Sequence, residues 1–579
     1  MAEEAEGDLE TPTIQVLFND LQRLLGMKLS RDLDELNDML CYVKGEVESL
    51  IEDELSIEIK DGNRPDLWSV EGIARELKGA LGIEEGFKNY NIEGYSGVEV
   101  LIEPRLQKIR PYIACAVVKG VHLDDEIIRE FMHLQDKLDQ TYGRKRKRTS
   151  IGLYNFNLIT PPLHYGASKP TAYRFIPLEG DKEMSLKEIV ESHPKGIEYG
   201  HIIKSFEYWP ILHDAENRVL SFPPIINSND LGKIKEDVKD IFIEVTGTSY
   251  LTVLNTLTMV TLSIADRGEK IFSTKVKYPY GKKKTDVTPK LEERKIILEL
   301  DYARCILGLD LKDKDFLNLL RKARYGLRQI DLKTIEVTIP SYRVDVMHQV
   351  DVIEDAAIMF SYNKIKPRWP QLTTFGGIST IESLSNIARE LMVGLGFQEI
   401  LTFSLTNKES LFDKMNTKPA HVIEVSNPML SKYSCLRTSL MPGLMEFLSN
   451  NTHAAYPQKI FEVGECAELN REDRRVDVEE SRKLACIVAH ANTSFSEIKS
   501  VLDAFLINMG LRCELDERVH KSFIEGRIGV ILIAGEEIGF IGEISPQVLE
   551  NWNLENPASG FEISIDKILK LRSALERRN

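Results

Sequence analysis

Residues 341–363 read SYRVDVMHQVDVIEDAAIMFSYN. Apolar residues at 350, 353, 357 and 360 recur at the spacing of one helical face, so a helix is predicted behind a short loop. At about 100° per residue, Asp351, Glu354 and Asp355 cluster on the other side, which predicts that these acids lie outside the core. Asp345 precedes the helix by a few residues and is placed to fold back onto its first turn. Four hard oxygen donors without His or Cys suit Mg²⁺ better than zinc. The same acids at the positive end of a helix dipole, bathed in water, are the competing reading.

Working outward, residues 290–370 form a compact, mainly helical unit. KLEERKIILELDYARCILG and KDFLNLLRKA read as helices and KTIEVTIPSY as a strand. The segment KYPYGKKKTDVTP at 277–289 reads as a linker into this unit, and IKPRWPQL closes it with two prolines. Upstream, residues 91–275 are strand-rich, with GVEVLIEP, YIACAVVKGV, RVLSFPPIIN and DIFIEVTGT separated by helical patterns such as DDEIIREFMHLQDKLDQTYG. Residues 13–90 are mixed α/β, with SIEIK as a half-buried strand and Ser69 capping a helix that carries Val70, Ile73, Ala74, Leu77 and Leu81. Residues 371–579 alternate long helices with strands. The predicted organisation is α+β and multidomain: an acidic tail 1–12, an α/β domain 13–90, a strand-rich domain 91–275, a small module 276–370 and a helix-and-strand domain 371–579. No internal sequence repeat is evident.

The chain has 579 residues, 42% hydrophobic and 28% charged, which predicts three to five domains with real cores rather than a disordered or fibrous chain. Its net charge of −16 argues against a general nucleic-acid coat but leaves room for local basic patches. Seven cysteines without a CxxC pair make a disulfide framework or zinc ribbon improbable and point to a reducing cytoplasm. The first ten residues carry five acids and no base, unlike a secretory leader, and GVILIAG is too short to span a bilayer. A soluble, cytoplasmic chain is expected.

Two further constellations carry chemistry. In VLSFPPIIN (219–227) and DIFIEVTGTS (240–249), Ser221 stands before a double proline, and Glu244 and Thr246 share one face of a strand. Ser, Glu and Thr above an apolar floor could read a small polar ligand such as a phenolic hydroxyl. A polar sheet face turned to water is the alternative. The run GRKRKRTS supplies Arg144, Lys145, Arg146, Lys147 and Arg148 as candidate phosphate contacts or as a solvated turn, with KKK at 282–284 a weaker instance. No phosphate-binding glycine loop, HExxH or GxSxG motif is present, so a self-contained ATP-using enzyme is not indicated.

Taken in order, NRPDLWSVEGIAREL, VLSFPPIINS, EVTGT, YRVDVMHQVDVIEDAAIMFSYN, LMVGLGFQEILTFSLTN, NPMLSKYSCLRTSLMPGLMEFLSNNTH and KIFEVGE resemble the β-subunit family of phenylalanine–tRNA ligases, in its shorter archaeal and eukaryotic-cytosolic form. The resemblance runs from about residue 13 to 570. It implies an N-terminal domain, an editing domain, a helix-turn-helix-like module and a catalytic-like domain with the antiparallel sheet of class II synthetases. The implied partner is an α subunit that binds ATP and phenylalanine and performs adenylation, in an (αβ)₂ heterotetramer acting on tRNA(Phe). It further implies Mg²⁺ held by Asp345, Asp351, Glu354 and Asp355. An editing pocket for mischarged tyrosine is implied at Leu212, Ser221, Glu244 and Thr246, with water rather than a side chain as nucleophile. The archaeal pattern has Asp where this chain has Glu244, and one added methylene moves the carboxylate by about an ångström. In GFEISIDKILKL, Asp566-Lys567 stands where an active class II core has an acid and an ATP-binding Arg, whose planar fork Lys cannot supply. A free-standing tRNA-binding or trans-editing protein with the same domains is the second reading.

Overall fold

The computed structural model describes residues 12–281, 284–469 and 478–576. The predicted acidic tail, apart from Pro12, and two members of the second basic run, Lys282 and Lys283, lie outside the described residues. Two compact units divide the chain, one reaching to Arg368 and the other starting at Trp369.

The first unit begins with a three-stranded sheet in the order Thr13–Leu17, Glu54–Ile59, Gly45–Ile51. Alternation in SIEI buries Leu55, Ile57 and Ile59 completely. Ser69 Oγ accepts from the Gly72 amide at 3.1 Å and starts the helix Val70–Ala80. That helix has no water-facing stripe: Glu71, Arg75 and Glu76 are buried with the apolar residues. Each finds a partner from outside the helix, Arg267 for Glu71, Asp266 for Arg75 and Arg64 for Glu76.

The next domain is built on a ten-stranded sheet. Its path runs from the edge pair Ile226–Asn227 and Val219–Phe222 through Trp209–His213, Leu163–Ser168, Ile92–Ile102, Lys270–Lys277, Tyr112–Lys119 and Asp240–Gly247 to the other edge, Thr149–Asn155. The predicted linker at 277–289 is part of this sheet. Thr285–Thr288 pairs antiparallel with Lys270–Lys277 and sets Thr274 opposite Thr288. The helix Tyr250–Ala265 covers one face, where Val253, Leu257, Leu262 and Ile264 are fully buried. Each such side chain contributes about 1.5–3 kcal/mol.

The module before Arg368 is less helical than its composition suggests. KIILE lies in a strand, Arg294–Glu299, paired with Thr334–Ile339, and a helix starts only at Leu300. Paired β-branched residues on the strand override the helical leaning of the flanking Leu and Glu.

Asp355 is 4% exposed and belongs to the core, against the expectation from helical angles. Arg343 reaches it from twelve residues upstream. Arg343 bonds Asp345 with both arms at 2.9 and 2.7 Å and Asp355 at 2.7 Å. The same figure occurs in the N-terminal domain, where Arg64 bonds Asp66 twice at 2.9 Å and Glu76 at 3.1 Å. In both, the first acid lies two residues after the arginine, a helix N-cap (Ser69 or His348) five after, and the second acid twelve after. A repeat invisible as sequence identity is therefore present as geometry.

In the second unit, one sheet runs Gln398–Glu399, Gln458–Leu469, Val478–Ala489, Ala558–Ser564, Glu536–Ile544, Phe523–Ile533, Glu514–Glu517, antiparallel after its first pair. Helices Thr380–Gly394, Phe495–Asn508 and Ile565–Glu576 bury one face through Leu384, Phe505 and Ile568. Helix Met441–Asn450 covers the other through Met441, Leu444 and Met445.

Candidate active site

The ten-stranded sheet curls until its two edges almost meet. Tyr154 on the edge strand Thr149–Asn155 places its hydroxyl 3.1 Å from Asn227 Oδ1 on the opposite edge. Along this seam lies a cavity of about 500 Å³. The helix Asp125–Gln140 forms its wall through Phe131, Met132, Gln135 and Asp136. Ser221, Asn227 and Glu244 line it from the strands, with Pro223 and Pro224 between them.

Register assembles the polar group. Ser221 sits between Leu212 on one neighbouring strand and Asn227 on the other. Glu244 lies in the strand Asp240–Gly247 opposite Gly152, and its carboxylate accepts from Tyr154 at 2.6 Å and from Ser221 at 3.4 Å. Both faces of this strand are covered, so the solvated polar face considered from sequence is not what the fold makes; Glu244 is 2% exposed. Burial pushes the Glu244 carboxyl up to about 7, against the opposing pull of Tyr154 and Arg110. The carboxyl therefore holds its proton more tightly than an exposed glutamate does.

The four residues expected to form the pocket divide into two layers. Ser221 and Glu244 face the cavity. Leu212 is fully buried among Tyr154, Phe242 and Tyr165, with Ser221 as its neighbour across the sheet. Thr246 is also buried, and its hydroxyl accepts from Arg110 Nε at 2.9 Å and lies 3.0 Å from Ser150 Oγ. Nothing in the sequence marks Asn227 and Tyr154 as pocket residues, because only the meeting of two sheet edges brings them together beside Glu244; Arg146 reaches the cavity from the turn before Thr149–Asn155.

The basic run forms a turn in which Arg144, Lys145, Lys147 and Arg148 are exposed. Arg146 points inward instead. It lies 3.0 Å from Asp139, without hydrogen-bond alignment, donates to the Ile225 carbonyl at 2.9 Å and covers the Tyr199 ring at 4.4 Å. Burial pushes Asp139 up to about 7, with Arg146 and Arg110 opposing. Arg146 also lines the cavity, so one member of the predicted phosphate-binding run belongs to the pocket.

The four acids expected to hold Mg²⁺ do not form one ligand set. Asp345 and Asp355 share Arg343, and Asp355 also accepts from Tyr325 at 2.5 Å. Asp351 caps the helix by accepting the Met347 and His348 amides at 2.7 Å. Glu354 pairs with Lys44 at 2.9 Å. Among the described residues, no three His, Cys, Asp or Glu side chains are grouped to hold a metal. With Asp345 and Asp355 bonded to Arg343, Asp351 to the helix amides and Glu354 to Lys44, this arrangement does not fit an ion at the four acids.

In the second unit, the sheet face under helix Met441–Asn450 carries its own polar cluster. Arg437 bonds Glu462 at 2.7 Å, Thr402 Oγ1 at 2.8 Å and the Glu465 carbonyl at 2.8 Å. Glu562 accepts from Ser439 Oγ at 2.7 Å and from the Leu440 amide at 2.9 Å. Asp566 accepts the Arg482 amide at 2.5 Å, and Lys567 donates to the Glu537 carbonyl at 2.8 Å. Each of these groups has a partner within the fold.

Known proteins are similar to this chain over nearly its whole length. Residues 365–565 match the family described as phenylalanyl tRNA synthetase beta chain CLM domain, and residues 296–362 match the tRNA synthetase B5 domain. The phenylalanine–tRNA ligase beta subunit of Thermococcus sibiricus is 43% identical over 96% of this chain and 99% of its own length. That of Methanothrix thermoacetophila is 35% identical, again over 96% and 99%. Among solved structures, an N-terminal fragment of the phenylalanyl-tRNA synthetase beta subunit from Pyrococcus horikoshii superposes with a TM-score of 0.58 at 39% identity, covering 61% of this chain and all of the fragment.

Proposed function

This chain belongs to the phenylalanine–tRNA ligase β-subunit family, and from that premise we propose that it is the non-adenylating half of a ligase that also removes tyrosine from tRNA(Phe). Its partner is an α subunit that binds ATP and phenylalanine, the assembly is an (αβ)₂ heterotetramer, and the compartment is the cytoplasm. The seven cysteines, all unpaired, agree with a reducing compartment. The functional division keeps 13–90 and 371–579, with editing in the strand-rich domain, which runs past the expected limit of 275 to Thr288 because Thr285–Thr288 pairs with Lys270–Lys277; the small module follows it up to about residue 370.

One observation carries the editing reading: a buried carboxyl, Glu244, is turned with Ser221 into a 500 Å³ cavity. A tyrosyl phenol entering there donates to the Glu244 carboxylate. Phenylalanine leaves the carboxylate lone pairs not used by Tyr154 and Ser221 without a donor, which costs about 1–3 kcal/mol. The amide of Asn227 and the guanidinium of Arg146 supply donors on the same wall for the ester and its developing negative charge. The attacking group is water: Ser150, Ser221, His133 and His193 line the cavity, but the serines bond Thr246 and Glu244 and His193 accepts the Lys195 amide, so no serine is paired with a histidine there. The exposed bases Arg144, Lys145, Lys147 and Arg148 beside the mouth are the candidate tRNA contacts.

The test is made on the co-expressed αβ complex. It should attach phenylalanine to tRNA(Phe) and release tyrosine from Tyr-tRNA(Phe), while this chain alone gives no phenylalanine-dependent ATP–pyrophosphate exchange. Exchange by the isolated chain, or an inert complex, defeats the reading.

A further inference from the structure

The seam contains a polar group that the proposed reaction does not yet use. Tyr154 is fully buried, with its ring against Phe242 at 5.9 Å. Its hydroxyl stands 2.6 Å from Glu244 Oε2 and 3.1 Å from Asn227 Oδ1. It thus touches the carboxylate that faces the cavity and the amide on the far edge of the sheet. Gly152 makes the room for it. A Cβ at that position would overlap the Tyr154 oxygen and come within 2.7 Å of Glu244 Oε2.

A phenol has one proton to give. The shorter contact is to Glu244, and hydrogen bonds to an ionised acceptor are the shorter and stronger kind. The proton is therefore directed at the carboxylate. Burial raises Tyr154 well above its ordinary value, which keeps it a protonated donor throughout the neutral range. The other charged or titratable groups acting on Glu244 are Arg110 ahead of the strand Tyr112–Lys119, Cys115 within it, Asp139 on the wall helix and Tyr165 on the strand Leu163–Ser168. Direct bonds to the carboxylate come from Tyr154 and Ser221. Ser221, at 3.4 Å, is the weaker of the two.

We propose that Tyr154 is a positioning residue for tyrosine discrimination. It fixes the rotamer of Glu244, favours its anionic form, and leaves the remaining carboxylate lone pairs for the substrate phenol. A glutamate has one more rotatable bond than an aspartate and a correspondingly greater need of a fixed partner. The proposal rests on the editing reading above and names the residue that makes a longer acid serviceable there.

The experiment uses Tyr154→Phe in the αβ complex, which keeps the ring against Phe242 and removes only the hydroxyl. Deacylation of Tyr-tRNA(Phe) and of Phe-tRNA(Phe) is measured across pH values on both sides of 7. The variant should hydrolyse the tyrosyl ester about tenfold more slowly at neutral pH, with a lower ratio of tyrosyl to phenylalanyl hydrolysis. The rising limb of the pH profile should move to higher pH, because the carboxylate has lost a donor. Glu244→Asp draws the carboxylate back from the phenol, so adding Tyr154→Phe to it should cost little more; this non-additivity is the signature of a direct pairing. An unchanged ratio and an unmoved limb, or fully additive losses that track a lowered Tm, overturn the role of Tyr154 alone. If the unsubstituted complex releases no tyrosine, the editing reading falls and this proposal with it.

Discussion

Two sheets in this molecule bury acids, and they treat them in opposite ways. Over the ten-stranded sheet, Glu244 is met by the neutral hydroxyls of Tyr154 and Ser221 and looks into empty space. On the sheet of the second unit, Glu462 is met by Arg437, and a helix closes the face. A carboxylate without an internal cation keeps a perturbed affinity for protons and an appetite for a donor. One that is matched by a guanidinium is a structural part. Of these two buried acids, the one that faces a cavity is the one with no cation bonded to it.

The largest effect is expected from breaking the matched side. Arg437→Met strands Glu462 and the Glu465 carbonyl in the interior and should destabilise the second unit by about 3–5 kcal/mol, read by urea or thermal unfolding. It should open no adenylation activity, and a variant as stable as the parent would remove the contrast drawn here.

Next comes the unmatched side. Glu244→Gln should lower the preference for tyrosyl over phenylalanyl ester by about 10- to 100-fold, as measured by deacylation of the two charged tRNAs. The same carboxyl gives a signed pH dependence. Its folded value is raised to about 7 from 4.5, so the folded state holds the extra proton between those values. Stability contributed by the protonated form is full below the unfolded value and is lost as pH climbs through 7, by about 3 kcal/mol in all. Glu244→Gln should flatten that slope by one proton's worth, and an unchanged slope would show that Glu244 does not titrate as its burial dictates. Tyrosyl hydrolysis should rise over the same interval, because the phenol needs an anionic acceptor.

A smaller change is expected at the cavity mouth. Lys145→Ala with Arg148→Ala should weaken tRNA binding a few-fold and lower the slope of log affinity against log salt by about 2. No change in that slope would make the exposed turn a solvated one. The smallest effect is expected from chelation. EDTA treatment of the purified complex should leave the unfolding of the first unit unmoved, since Asp345 and Asp355 are already bonded to Arg343. A drop in Tm restored by Mg²⁺ would show that the acids rearrange around an ion.

Much of the fold was legible in local patterns. Ser69 caps the helix expected there, and the apolar periodicity of 125–140 marks a real helix. Glu244 and Ser221 could be named because a polar residue before a double proline and an acid within a β-branched run are unusual in themselves. What was lost depends on distant pairing. KIILE looks helical until Thr334–Ile339 arrives beside it. Asp355 looks solvated until Arg343 folds onto it, and its partner twelve residues upstream lies beyond any helical wheel. Tyr154 and Asn227 belong to opposite ends of a sheet path, and no window of sequence contains both.

The wall helix Asp125–Gln140 has two sides. One carries Phe131, Met132 and Gln135 into the cavity, while Glu130 on the other accepts the Leu17 amide at 2.9 Å. The first strand of the chain is thereby a buttress for a pocket more than a hundred residues downstream. Deleting the segment through Leu17 would strip one support from that helix, so an excised editing domain that leaves the N-terminal strand behind should prove a poorer hydrolase than the same pocket in the full chain.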